Sequence, residues 1–81
     1  MTLLQLQYFQ VLARVLHYTR AAEELHISQP SLSYSISELE KEVGKKLFSR
    51  GAKTVTLTEE GKIFLKYAER IIELQDTSIE E

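Results

Sequence analysis

Between Ser28 and Gly44 the chain reads SQPSLSYSISELEKEVG, and no other stretch leaves its own conformation so little freedom. Leu32, Ile36, Leu39 and Val43 recur at intervals of four, three and four, which is one buried stripe of an α-helix. Ser28 is placed to cap that helix. Pro30 falls in its first turn, where a missing N–H costs nothing, and Gly44 suits a left-handed C-cap. The face opposite the stripe is expected to carry Ser31, Ser33, Ser35, Ser37 and Tyr34, where an ordinary solvated helix carries Glu, Lys, Gln and Arg. Short hydroxyl side chains suit a face that presses closely against something polar.

The flanking elements follow from period and punctuation. Leu3, Leu6, Phe9, Leu12, Ala13 and Leu16 lie on one face of a first helix, which His17 and Tyr18 interrupt. Thr19 is the expected N-cap of a short second helix, with Ala22 and Leu25 pointing inward. After Gly44 the period changes to two. Residues 47–50 and 54–57 read as short strands, with Gly51, Ala52 and Lys53 as a tight hairpin. Thr58 caps a long final helix, and Glu59 and Glu60 sit where the helix dipole favours negative charge. Along that helix Ile63, Phe64, Tyr67, Ala68, Ile71 and Ile72 form an apolar stripe wider than one short neighbour requires.

At 81 residues the chain is one small domain with a modest core, and a second subunit would add appreciably to it. Charge is distributed unevenly. Residues 41–56 hold five cations against one carboxylate, a net +4, whereas residues 57–81 hold three cations against seven carboxylates, a net −4. The basic segment adjoins the serine-rich helix, so the overall charge of −2 does not exclude a nucleic-acid partner. No apolar run approaches a membrane span, no signal peptide precedes the first helix, and the lack of cysteine suits a reducing cytoplasm. His17 and His26 lack the spacing of a helical metal pair, the carboxylates fall mainly on exposed helix positions, and there is no glycine-rich phosphate loop. The expectation is a chain with no catalysis, no cofactor and no metal site.

Two helices joined by a short turn, the second polar on its outer face, describe a helix-turn-helix, and the hairpin after it is a wing. A helix in a major groove about 12 Å wide tolerates limited bulk, and serines let its backbone come close. Gln29 can make a bidentate contact to adenine, and the serine hydroxyls can meet base edges or phosphates. Ser28 explains itself as a cap and can add a DNA contact. Tyr34 is either a phosphate or base contact or a plain surface residue. Arg50 and Lys53 flank the hairpin tip, where a wing following the backbone or a minor groove needs positive charge. A winged-helix module that binds an acidic protein is the alternative reading, because fold alone does not decide function.

The run LQYFQVLARVLHYTRAAEELHISQPSLSYSISELEKEVGKKLFSRGAKTVTLTEEGKIFL closely resembles the N-terminal DNA-binding domain of LysR-type bacterial transcriptional regulators. Its marks are Leu6 with Phe9, TRAAEELHISQPSLS, Ile36 with Leu39 and Glu40, Gly44, LFSR at residues 47–50 and LTEEG at residues 57–61. The resemblance implies a mainly α fold. A winged helix-turn-helix of three helices plus a two-stranded β wing would occupy residues 1–58, with the helix-turn-helix at 18–37, the recognition helix at 29–43 and the wing at 47–57. Residues 59–81 would form a linker and dimerisation helix, pairing antiparallel with that of a second subunit through Ile63, Phe64, Tyr67, Ala68, Ile71 and Ile72.

The implied partner is double-stranded DNA carrying an interrupted inverted repeat, bound by a homodimer. Gln29, Pro30, Ser31 and Ser33 match groove-facing positions, Thr19 and Arg20 match positions near the phosphates, and Arg50 matches the wing arginine. A small-molecule effector would act only through a C-terminal domain that this chain does not contain. Three positions depart from the pattern. Tyr34 stands where arginine is common, Lys53 and Thr54 where a basic pair is common, and Leu16 where glycine is usual.

Overall fold

Four helices and a two-stranded antiparallel sheet follow one another as α1 (Leu3–Val15), α2 (Tyr18–Leu25), α3 (Gln29–Val43), β1 (Phe48–Arg50), β2 (Val55–Leu57) and α4 (Glu59–Glu80). This computed structural model describes the backbone of residues 1–51 and 54–80, and the side chains of residues 1–51 and 54–74. The expected mainly α fold with a β wing is therefore the observed one. Lys53, expected at the wing tip, lies outside the described residues.

α1 begins with a capping box, in which the Gln5 N–H donates to Thr2 Oγ1 at 3.1 Å and the Thr2 N–H to Gln5 Oε1 at 3.0 Å. It ends on Leu16, whose φ of 56° is the left-handed conformation that glycine adopts without penalty. A leucine thus makes the same stop. The turn leaves His17 extended, and its Nδ1 accepts the Arg20 N–H at 3.2 Å. His17, rather than Thr19, is therefore the N-cap of α2, and Tyr18 opens that helix. The cap must reach an N–H three residues ahead, and with α2 starting directly after the left-handed turn only His17 stands at that distance. α2 closes on a second left-handed residue, His26 at φ 60°, and the Ile27 N–H returns to Ala22 O at 3.0 Å.

α3 has the bounds its sequence announces. Ser28 Oγ accepts the Ser31 N–H at 3.2 Å, Pro30 lies in the first turn, and Gly44 takes φ 84°. Each strand of the wing starts one residue later than the alternation suggests, pairing Phe48 with Leu57, Ser49 with Thr56 and Arg50 with Val55. The Gly51 N–H closes the turn on Thr54 O at 2.8 Å.

The core draws on every element. Leu6, Phe9, Leu12 and Ala13 of α1 meet Ala21 and Ala22 of α2, Leu32, Ile36 and Leu39 of α3, Leu47 and Phe48 at the wing, and Ala68 of α4. Phe9 is the hub. Its ring lies 5.3 Å from that of Phe48 and 5.1 Å from that of Phe64, the second contact nearly edge-to-face at 84°. The two small residues of α2 allow it to approach α1 and α3 closely, which fixes the angle of α3 against the rest. Among the described residues no helix is long and apolar enough to cross a membrane.

Candidate nucleic-acid interface

α3 does not display its serines as one face. Two residues turn a helix by about 200°, so Ser33 and Ser37 lie on one flank and Ser31 and Ser35 on the other. The expectation of a single serine face is corrected accordingly. Between the flanks Tyr34 stands outermost, 69% exposed. At the N-terminal end Ser28 Oγ donates to Ser31 Oγ at 2.8 Å while accepting the Ser31 N–H, so these two serines satisfy each other. Gln29 is half-buried beside the exposed Pro30.

The wing faces the Ser33 flank. Arg50, at the end of β1, donates through Nη2 to Ser33 Oγ at 3.1 Å, and its guanidinium lies over the Tyr18 ring, 4.1 Å from the centroid. On one side of this bridge an open depression is lined by Ser33, Ser37, Glu40, Lys46, Phe48, Ser49 and Thr58. On the other a second depression is lined by His17, Thr19, Gln29, Gly51 and Thr54. Arg50 and Tyr18 border both. The structure thus brings Thr19, Gln29, Ser33 and Arg50 together, whereas Arg20, Ser28, Ser31 and Tyr34 line neither depression.

Two side chains of this region, Tyr18 and Glu40, have roles that escape a reading based on the sequence, and Thr58, expected as the cap of the final helix, has a second one. Tyr18 supplies the aromatic face under Arg50. Glu40, whose side chain is 13% exposed, accepts the Leu47 N–H at 2.8 Å and the Phe48 N–H at 3.1 Å through one oxygen, with Lys46 Nζ 3.9 Å from the other. Thr58 donates to Lys46 O at 2.6 Å and accepts the Gly61 N–H at 2.9 Å. For Ser37 a signal existed, since it stands one helical turn after Ser33.

Local charge is positive where it is free. Lys41 pairs with Glu38 at 3.2 Å and Lys46 reaches Glu40, but among the described residues no ion pair involves Arg20, Lys45 or Arg50. Elsewhere Arg14 binds Glu24 and the terminal amine binds Glu42, away from the wing.

α4 carries two apolar faces. Phe64, Leu65, Ala68 and Ile72 pack on the core, and Ala68 is fully buried there. Ile63, Tyr67, Ile71 and Leu74 are exposed, at 58%, 63%, 43% and 64%. Of the six positions expected to meet a second subunit, Ala68 is therefore withdrawn, since its own chain already covers it. Phe64 and Ile72 are half-buried by the same packing, and Leu74 joins Ile63, Tyr67 and Ile71 on the free face.

Residues 3–62 match the family model described as "Bacterial regulatory helix-turn-helix protein, lysR family". The chain belongs to the LysR family. Among relatives of this LysR-family chain, the HTH-type transcriptional regulator BudR of Klebsiella aerogenes is 49% identical over 80 residues, covering 99% of this chain and 56% of that protein. The RuBisCO operon transcriptional regulator of Allochromatium vinosum is 49% identical over 70 residues, covering 86% of this chain and 23% of that protein. The chain thus spans about half of the first relative and a quarter of the second. Among solved structures, the CbnR DBD–DNA complex superposes with a TM-score of 0.94 at 36% identity, covering 99% of this chain and 92% of that one. The complex of BenM DBD with catB site 1 DNA also gives 0.94, at 38% identity, covering 99% and 86%.

Proposed function

We propose that this LysR-family chain binds double-stranded DNA sequence-specifically, with α3 in the major groove and the wing against the backbone or minor groove. It does so as a homodimer on an inverted repeat, held together by the free apolar face of α4. The observation that carries this reading is the likeness over 99% of the chain to LysR-family domains whose structures are described as DNA complexes. Residues 1–58 form the DNA-reading unit and residues 59–81 the linker and dimerisation helix. Gln29 reads a base edge, Pro30, Ser31 and Ser33 face the groove, and Tyr34 meets the backbone or a base. Ser28, Thr19 and Arg20 lie at the phosphates, and Arg50 and Lys53 belong to the wing. The chain performs no catalysis and acts in the cytoplasm. An effector, where one regulates the whole protein, acts through a further domain.

Selection of bound duplexes from a random pool at moderate salt tests this. The expected result is an enriched inverted repeat with half-sites separated by about one helical turn or a multiple of it. Affinity for the enriched duplex should also fall steeply with salt, with a slope near −0.9 per neutralised phosphate. A pool without enrichment and a binding constant indifferent to salt would leave the protein-binding reading in its place.

A further inference from the structure

The side chain of Arg50 leaves the wing rather than lying along it. Through the Tyr18 ring at 4.1 Å and Ser33 Oγ at 3.1 Å it touches α2 and α3 from β1, so one residue joins the three elements that face a duplex. Neither partner is a carboxylate, and among the described residues no ion pair involves Arg50. A guanidinium has five N–H donors, and a free one would be turned by whatever phosphate it met. This one is stacked on a ring and directed at a neutral hydroxyl, which fixes its orientation and that of the group it bonds.

The consequence falls on Ser33. A hydroxyl offers one donor and two acceptor lone pairs, and when free it rotates to suit whatever it meets. Here the oxygen already accepts from a cation. That bond polarises the O–H, turns its proton away from Arg50, and disfavours a second donor approaching the same oxygen. We propose that Arg50 is a positioning residue for base readout: it sets Ser33 as a hydrogen-bond donor, so that α3 prefers a base-edge acceptor at that point. Such acceptors are N7 or O6 of guanine, N7 of adenine and O4 of thymine, and the amino group of cytosine is disfavoured. Tyr18 acts one step further back, by holding the guanidinium. The inference rests on the DNA-binding reading.

The test uses the whole chain and the duplex that the wild type enriches from a random pool. Affinities of wild type, Ser33→Ala, Arg50→Met and the double variant are measured on that duplex and on duplexes with each base pair of one half-site changed in turn, across a salt series. Ser33→Ala and Arg50→Met are expected to relax preference at the same base pair by about tenfold, the double variant no further than either single, with the salt slope unchanged. Arg50→Lys keeps the charge but has no planar fork to serve the ring and Ser33 together. It should relax the same base pair at an unchanged slope, and it replaces Arg50→Met if the latter fails a urea-unfolding check. Uniform weakening of all duplexes with a slope lowered by about 1 would make Arg50 a phosphate contact and overturn the proposal. Relaxation at different base pairs, or wild-type preference in Arg50→Lys, would overturn it as well. Should the wild type enrich no duplex, the DNA-binding reading fails and this inference with it; enrichment with unaltered preference in the variants removes this inference alone.

Discussion

Leu16 and His26 occupy left-handed backbone at φ 56° and 60° with no glycine to relieve them. The left-handed region costs an L-residue about 1–2 kcal/mol, part of which glycine returns through its greater freedom in the unfolded chain. His26 is exposed, so replacing it removes little packing. His26→Gly should therefore stabilise the domain by roughly 0.5 to 1 kcal/mol, read as a higher urea midpoint at an unchanged slope. A lower midpoint would mean that the imidazole makes contacts that outweigh the strain. Gly44, by contrast, announces its φ of 84° by its residue type, which is why that helix end was legible and the other two were not.

At the scale of elements, what matters is how the wing is held to the helices. Glu40 joins α3 to the start of β1 by accepting two backbone N–H groups from Leu47 and Phe48 in a part-buried position. Glu40→Ala leaves both donors without their acceptor and should cost about 2–4 kcal/mol, whereas Glu40→Gln keeps one oxygen and should cost about 1. Equal losses in the two variants, followed by urea unfolding, would show that packing rather than the acceptor matters. On the other side Thr58 and Gly61 hold α4 against the same strand entrance. The Thr58 N–H donates to Leu47 O at 3.0 Å, and a Cβ at Gly61 would lie 2.1 Å from that oxygen. In an open helix Gly→Ala adds about 1 kcal/mol of stability. Here the sign reverses, and Gly61→Ala should cost about 2–3 kcal/mol because backbone has to move. A stabilised variant would mean that α4 can swing away from Leu47 freely.

For the whole molecule the question is what α4 does with its two faces. Ala68 is enclosed by the core, while Ile63, Tyr67, Ile71 and Leu74 form a free apolar row at intervals of four, four and three. Single exposed apolar residues need no explanation, but a row along one helix fits the self-association face proposed above. Tyr67→Glu should weaken self-association at least tenfold in sedimentation equilibrium while leaving the far-ultraviolet circular dichroism of the monomer intact. Ala68→Glu should instead unfold the domain, since the carboxylate would enter the core. If Tyr67→Glu associates as the wild type does, the dimer uses another surface. The charge distribution fits the same division, with Lys41, Lys45, Lys46 and Arg50 at the end of α3 or after it and Glu59, Glu60, Glu69 and Glu73 on α4.

The sequence by itself determined the helices, the wing, the bounds of α3 and most of the core, because periodicity, caps and glycine act within a few residues of one another. The positions of Gln29 at the start of α3 and Arg50 at the end of β1 were legible in the same way. Tertiary structure decided the rest. That His17 caps α2 depends on the turn forced at Leu16, whereas the parting of Ser31 and Ser33 to opposite flanks follows from the helical period alone. Tyr18, Ser33 and Arg50 are far apart along the chain, and no local signal links them. They meet because Phe9 gathers the wing and α4 onto α1, and because the alanines of α2 let α3 pack close enough for one arginine to span the gap.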